Sequence, residues 1–503
     1  MDHKKEEINE TAHCKKFYFP KRYTFVFLSL LGTFCVFTMR ASVSISIVAM
    51  VNHTDALSIN SSSESLNECS NLQQTSKGIE HEYKGEHYNW DIKTQADILG
   101  CYFYGNVATQ VLGGILAEKF GFKFIYGGGI LMTAIVTLLI PVVSSWGYTA
   151  VIIIRIIQGL GDGLTFPAIN VAISKWSPTY ERSRFSAIIF SGIQIGTVIG
   201  MPISGILCTS DLLGGWPSVY YIFGSITCLW SVFWWLLIYE EPSMHPTISR
   251  EELFHIEKNK NEAKMKMSRD LWKNMLTSIP LWAVMIAHFG CDYGFWTMLT
   301  ELPTYLSTAL HYDLKSNGLL STLPFLSTTA GAWVSSYIAD YLRKSNKLSI
   351  TFIRKLMNSL GTFIPAIAMV GVTFCGCHPG LIITLLCIAM AFAGFALSGF
   401  NVTHVDMCPD FAGTSYAITN SVGNTAGIFG PMSVGIFTSS GPTLANWSKV
   451  FYTSAAIYAI SGILFAAFGS AELQNWGSTK NCLKKPEINP PKELNAGNLK
   501  ANV

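Results

Sequence analysis

Two arginines sit in apolar surroundings where water cannot solvate a guanidinium. Arg155 lies inside the run from about Tyr148 to Ser174, and Arg40 interrupts another from about Tyr23 to Val51. An arginine at mid-membrane depth costs roughly 2.5–3.5 kcal/mol on insertion scales, so such residues face a polar pathway or a partner. Asp162 follows Arg155 on the same run, two helical turns on, which places cation and carboxylate on one face about 10 Å apart along the axis. Gln158 lies between them. That face is expected to be wet or paired, and two buried arginines point to a cavity that attracts an anion.

The rest of the chain must hold these groups inside a bilayer. Its 503 residues are 50% hydrophobic and 13% charged, against about 25% charged for soluble domains. This excludes a soluble globule. Apolar stretches long enough to cross a hydrocarbon core of about 30 Å recur near residues 23–51, 94–117, 122–143, 148–174, 185–208 and 219–239. A second set follows near 279–308, 318–338, 349–374, 379–403, 412–440 and 449–471. The expected fold is an all-α membrane protein of twelve transmembrane helices in two six-helix halves. The halves cover 23–239 and 279–471, joined by a linker over 240–278, with tails over 1–22 and 472–503.

Lysine and arginine in short loops accumulate on the cytoplasmic side. They cluster in the first tail (Lys15, Lys16, Lys21, Arg22), in the linker (Arg250, Lys258, Lys260, Lys264) and in the loop with Arg343, Lys344 and Lys347. Both termini are therefore expected in the cytoplasm, with the polar loop 52–93 on the outer side. That loop holds glycosylation sequons at Asn52 and Asn60, and Asn60 is the better acceptor because Asn52 hugs the membrane. The triplet Asn401-Val402-Thr403 matches by accident, at the cytoplasmic end of a helix. His81, Glu82, Glu86 and His87 do not have metal-site spacing, so no metal is expected. Most of the twelve cysteines fall in apolar spans and read as small hydrophobes; Cys69, in the outer loop, has no evident mate. The first span is too long and too far along the chain for a cleaved signal and reads as a retained helix.

No Gly-Lys dipeptide exists to build a nucleotide-binding loop, and neither a Gly-x-Ser-x-Gly elbow nor a His-Glu-x-x-His pair is present. No catalytic residue and no resident cofactor are expected. The expected partners are a small anion and the lipid bilayer, with no role for nucleic acid. Transport driven by an ion gradient leads. Internal repetition supports it: the stretch Gly114 to Lys123 after the second span has a counterpart in Ala339 to Lys344 after the eighth. Two halves built alike, with a site at their interface, is a transporter device.

These residues resemble the major facilitator superfamily, whose signature loop Gly114 to Lys123 matches. More narrowly, the chain resembles the anion transporters that include sialin, the vesicular glutamate transporters and the type I sodium-phosphate cotransporters. The resemblance rests on Arg155 to Gly163 running on to Phe166-Pro167-Ala168, on Ser174-Lys175-Trp176-Ser177-Pro178, and on Gly399 to Asp406. It implies that Arg40 and Arg155 hold the substrate anion while Asp162, where the family usually has glutamate, couples protons or supports gating. The bland alternative makes Arg155 and Asp162 a structural pair.

Leu99 and Cys291 stand where vesicular glutamate transporters carry a histidine and an arginine, which disfavours glutamate loading. The seventh span offers His288, Asp292 and Glu301, the last just before Leu302-Pro303. A proline there can free backbone carbonyls beside a carboxylate, as in sodium sites; Asp292 either serves so or pairs with an arginine. His288 reads better as a packed helix residue than as a proton relay. Gly192, Gly196 and Gly200 form a close-packing stripe, and Trp90, Trp146 and Trp216 read as interfacial anchors.

The expected function is symport of inorganic phosphate or an organic anion, driven by sodium or protons, with Arg40 and Arg155 on the substrate, Asp162 and Asp292 in coupling, and Gln158, His288 and Asn401 in the cavity. The alternatives are a sialin-like, proton-coupled exporter of acidic sugars or amino acids from lysosomes and, more remotely, an anion channel. The tails lack an acidic dileucine signal, which favours the plasma membrane over the lysosome. For topology, Asn60→Gln is expected to remove most glycan mass on a gel, and tags on either terminus to resist an outside label in intact cells; labelling of both tails would overturn the orientation.

Overall fold

The computed structural model describes residues 19–51, 86–178, 181–257 and 269–477, and among these it is helical apart from turns and one isolated bridge between Val51 and Tyr88. The sequons at Asn52 and Asn60 and the loop cysteine Cys69 lie outside the described residues. The first half comprises α1 (Lys21–Met50), α2 (Ile92–Phe120), α3 (Phe122–Ser144), α4 (Tyr148–Gly163), α5 (Thr165–Trp176), α6 (Arg182–Thr209) and α7 (Pro217–Leu237). Short helices α8 (Arg250–Glu257) and α9 (Arg269–Leu276) lie in the linker. The second half comprises α10 (Ile279–Thr308), α11 (Leu314–Lys344), α12 (Ile350–Thr373), α13 (Pro379–Ala393), α14 (Phe400–Met407), α15 (Ala412–Phe437) and α16 (Leu444–Phe468).

Twelve rods result, because α4 joins α5 and α13 joins α14 end to end. Leu164 separates α4 from α5, so the single helix expected over 148–174 is two. Pro167 has no N–H to offer the Gly163 carbonyl, and the ladder breaks there. The tenth rod is interrupted by a tighter turn over Gly394–Ser398. Pro303, by contrast, leaves α10 continuous to Thr308, so the freed, unwound backbone anticipated beside Glu301 does not form. Ala339 to Lys344 belongs to the last turns of α11 rather than to a loop.

Side chains written into the sequence start several of these helices. Asp91 accepts the Thr94 amide at 2.9 Å to cap α2, Asp313 the Ser316 amide at 3.1 Å to cap α11, and Ser349 the Phe352 amide at 3.2 Å to cap α12. Two carboxylates of the segment after α7 reach back to other helices. Glu240 takes the amides of Phe122 and Lys123 at 3.1 and 3.0 Å, and Glu252 those of Lys21 and Arg22, both at 3.0 Å. Negative charge at these N-termini also opposes the helix dipole. Gly121, at φ +96°, makes the turn that admits Glu240; a Cβ there would lie 2.7 Å from its carboxylate oxygen.

Eight of the rods have a window long and apolar enough to cross a membrane by length and composition. The other four, α2, α10, α11 and α15, carry groups such as Gln110, His288, Asn317 and Asn424. These four, with α1 and α6, are the helices through which the halves meet. α2 packs on α15 and α6 on α11, with α10 bridging to α1. At the α6–α11 crossing Gly205 and Gly318 face one another, and a Cβ on Gly318 would lie 2.8 Å from the Met201 carbonyl.

The glycine stripe of α6 packs as expected. Added Cβ atoms on Gly192 and Gly196 would come within 2.7 and 2.5 Å of the Leu30 and Phe34 carbonyls of α1. Of the three tryptophans read as anchors only Trp146 is exposed; Trp90 stacks on Tyr88, and Trp216 donates to the Glu86 carbonyl at 3.0 Å. Eight described cysteines are free, but Cys377, in the turn after α12, is disulfide-bonded.

A very tight approach joins α2 to α4, where a Cβ on Gly159 would sit 1.9 Å from the Tyr102 carbonyl oxygen. Backbone cannot yield as a side-chain tip can. Gly159→Leu is expected to cost about 3 kcal/mol or more and to lower the melting temperature of detergent-purified protein sharply. Gly114→Leu, whose Cβ would meet only Pro167 at 3.5 Å, is expected to leave it nearly unchanged.

Candidate functional site

The glycine contact between α2 and α4 brings Tyr102 and Asn106 onto Asp162, the last acidic group before the helix break. Asp162 is fully buried. Its Oδ2 accepts from the Tyr102 hydroxyl and from Asn106 Nδ2, the latter at 3.1 Å, while Thr165 donates to Oδ1 at 3.2 Å. The cation facing it is Arg40, with Nη1 3.7 Å from Oδ2. The pairing expected with Arg155 is not the one that forms. Seven residues of helix rise separate Arg155 from Asp162, whereas α1 delivers Arg40 laterally.

Arg155 is committed elsewhere. Its Nε donates to the Ile98 carbonyl at 3.4 Å and its Nη1 to Gln158 Oε1 at 2.5 Å, and Gln158 passes the chain on to Thr137 at 2.9 Å. Arg155 and Gln158 are buried at 3% and 1% exposure, and neither lines the central cavity. The Tyr102 ring stands between the two cations, 4.6 Å from the Arg40 guanidinium carbon and 4.9 Å from that of Arg155.

Arg40 is different. Its guanidinium lies 3.9 Å from the centre of the Trp296 ring, and Phe103 approaches at 4.7 Å. Aromatic faces thus replace water around the charge. Its Nε and Nη2 are buried without a hydrogen-bond partner. These two nitrogens form one edge of the guanidinium, the fork that a carboxylate or phosphate accepts in bidentate fashion.

Arg40 lines a cavity of about 180 Å³ between the halves. His288, Asp292 and Asn401 line it too, together with residues not singled out in the sequence: Asn106, Gln110, Trp296, Asn420 and Asn424. Asn424 donates to Gln110 Oε1 at 3.0 Å, a direct bond between the halves. The cavity runs toward the face where Lys21 and Phe468 lie, since its lining residues on α15 are Tyr416, Asn420 and Asn424, all from the first half of that helix. On the opposite face, nearly every residue of α1 from Arg40 to Met50 and of α10 from Trp296 to Leu306 is buried.

Asp292 sits 3.7 Å from His288 Nε2, with no arginine ion pair among the described residues. Gly423 of α15 makes room for it, because a Cβ there would lie 2.5 Å from its Oδ2. His288 Nδ1 bonds Thr419 at 3.1 Å, and Thr419 also bonds His404 Nε2 at 3.1 Å. His288 is thus a packed, hydrogen-bonded histidine that also faces the cavity.

A pseudo-repeated two-half bundle with broken helices and a central charged cavity is a transporter arrangement. The Major Facilitator Superfamily profile matches residues 29–431. The chain belongs to that superfamily. Among curated relatives, a Drosophila melanogaster protein provisionally named an inorganic phosphate cotransporter is 38% identical over 477 residues, covering 93% of this chain and 89% of that one. Human sialin is 36% identical over 455 residues, with 90% of both chains covered. Human vesicular glutamate transporter 2 is 35% identical, covering 92% of this chain and 76% of the relative. Among solved structures, the inward-facing, unoccupied bacterial homologue of the human lysosomal transporter Spinster superposes with TM-score 0.65 at 13% identity, covering 90% of this chain and 97% of that one. The D-xylose–proton symporter superposes with TM-score 0.61 at 16% identity, covering 90% and 99%. The fold of this facilitator is therefore shared with both, and it is a multi-pass membrane protein.

Removing one member of a buried ion pair strands the other, at about 3–5 kcal/mol. Arg40→Ala is therefore expected to lower the melting temperature in detergent more than Arg40→Ala combined with Asp162→Asn. If the double variant is no more stable than the single, the 3.7 Å pair is not energetically coupled.

Proposed function

We propose that the protein is a symporter of a small anion, working by alternating access of its two halves, with Arg40 as the principal anion-binding group. The observation that carries this is the Arg40 fork: two adjacent donors, sealed from water and unpartnered, beside a central cavity. Inorganic phosphate or an organic carboxylate would satisfy both donors at once. The names of the curated relatives support an anion as cargo. Asn401, Asn420 and Asn424 offer neutral hydrogen bonds around that charge.

Asp162 and Asp292 are the proposed coupling groups, and sodium or protons the driving ion. Asp162 grips Arg40 Nη1, so neutralising it loosens the guanidinium for the incoming anion, and substrate and ion are linked through one side chain. Arg155 keeps a supporting role through Tyr102 and Gln158. The cation-rich loops support cytoplasmic termini, and with that orientation the cavity is inward-facing. A second reading, export of an acidic sugar or amino acid, draws on the apolar share of the lining, with Phe37, Phe295, Trp296 and Tyr416 able to cover an organic body.

Uptake into proteoliposomes across a small panel of anions, with sodium and proton gradients imposed separately, tests the proposal. Arg40→Lys is expected to lower kcat/KM by roughly tenfold to a hundredfold, the worth of one charge-assisted hydrogen bond, because an ammonium cannot supply the fork. Asp162→Asn is expected to retain anion exchange but lose gradient-driven accumulation, and Asp162→Glu to retain both. An Arg40→Lys variant with full activity would reduce the arginine to a source of bulk positive potential. Accumulation that survives in Asp162→Asn would move coupling to Asp292.

A further inference from the structure

Glu301 on α10 is left over by this scheme. It is 1% exposed, and neither carboxylate oxygen has a hydrogen-bond partner among the described residues. Two hydroxyls along the same helix, Thr297 and Thr304, are likewise buried and unpartnered. Thr300, its neighbour in sequence, spends its hydroxyl on the Trp296 carbonyl at 2.9 Å. Around it Met298, Leu299, Leu302, Tyr305 and Leu306 are packed into the hydrophobic core.

Among the described residues no ion pair reaches it, and Lys315 of α11 is exposed. On the helices packed against α10, Arg40 of α1 pairs with Asp162, and Lys93 and Asp97 of α2 act on one another. Arg354 of α12 holds Asp406 at 2.7 Å on the other face of the bundle, and Lys449 of α16 donates to Asn446 at 2.8 Å. α15 contains no ionisable side chain except Tyr416, in its first half.

An ionised carboxylate with neither water nor a partner is not tolerated in such surroundings, and a group so placed neutralises instead. Glu301 lies near the end of α10 remote from the cavity mouth, where the two halves are closed on each other. Opening that far face would wet the carboxylate and allow it to ionise. Closure and protonation then favour one another, as any two linked equilibria must.

We propose that Glu301 is a proton-binding site whose occupation from the far compartment permits the far face to close. The inference rests on the alternating-access reading above. It assigns Glu301 a different task from Asp162 and Asp292: the proton on Glu301 latches a gate, while Asp162, paired with Arg40, and Asp292, in the cavity wall, couple ion to substrate. The sign follows directly, with the far face held shut at low pH on that side and released as pH rises and the carboxylate ionises.

The test is a distance measurement that does not require transport. Spin labels on Leu213→Cys and Ser440→Cys, in far-face turns of the two halves, report the opening by double electron–electron resonance in reconstituted protein. Raising the pH is expected to increase the ratio of far-open to far-closed molecules by roughly tenfold, the effect of one unit of difference in proton affinity between the two states. Glu301→Gln is expected to stay closed at every pH, and Glu301→Asp to retain the response. A Glu301→Gln protein that opens with pH as the parent does would overturn the latch. So would closure driven by sodium at constant pH and lost in Glu301→Gln, which would make the ligand a metal cation. If the pH response is as expected while no anion is accumulated, the latch stands and the substrate reading fails.

Discussion

A buried charge in a bilayer must be answered by neighbours, and the Arg40–Asp162 pair is the point on which the rest of this structure turns. The pair alone would not suffice. At 3.7 Å it is a loose contact, and the remaining valences are met by groups that had to be brought there. Tyr102 and Asn106 reach Asp162 because glycines let α2 and α4 touch backbone to backbone. α1 presents Arg40 at the right height because Gly192, Gly196 and Gly200 of α6 let it lie close. Trp296, which covers the guanidinium, comes from the other half. The central cation is therefore solvated by both halves at once, so any motion of one half against the other alters its surroundings.

Much of this was legible in the residues. Spans, their number and their pseudo-repeat follow from apolar runs whose length must match a membrane, a constraint strong enough to survive four helices too polar to qualify on hydropathy. The two intramembrane arginines were visible because charge in an apolar run is costly wherever the helix ends up. What could not be read was which neighbours answer them. Arg155 and Asp162 share a helix and looked like partners, but a pair in a bundle is decided by lateral approach, and that depends on glycine contacts between helices far apart in sequence. The same limit hid Tyr102, Asn106 and Gln110, whose only sequence signal was a polar or hydroxyl group in an apolar stretch. Pro303 and Pro167 show the converse. Both lie inside apolar runs and only Pro303 read as a possible break, yet its helix continues and the one with Pro167 divides, because neighbouring packing decides whether a lost hydrogen bond ends a helix.

The polar residues are distributed by need for movement. The helices that stay within one half all keep a window apolar enough to cross a membrane, although α4 carries Arg155 and Asp162 and α12 carries Arg354. Four of the helices that meet their counterparts across the interface, α2, α10, α11 and α15, carry the amides, hydroxyls and acids that water can solvate when the halves part. Their mutual contacts are of a kind easily exchanged: a single amide bond from Asn424 to Gln110 and glycine-to-glycine approaches such as Gly205 on Gly318. An interface sealed by buried ion pairs would be slow to open, since each would have to be desolvated anew in every cycle. By keeping its central pair within the first half and meeting it from the second with the Trp296 ring and with cavity side chains that form no ion pair to Arg40, the protein can hold a charge at its centre and still separate its halves around it.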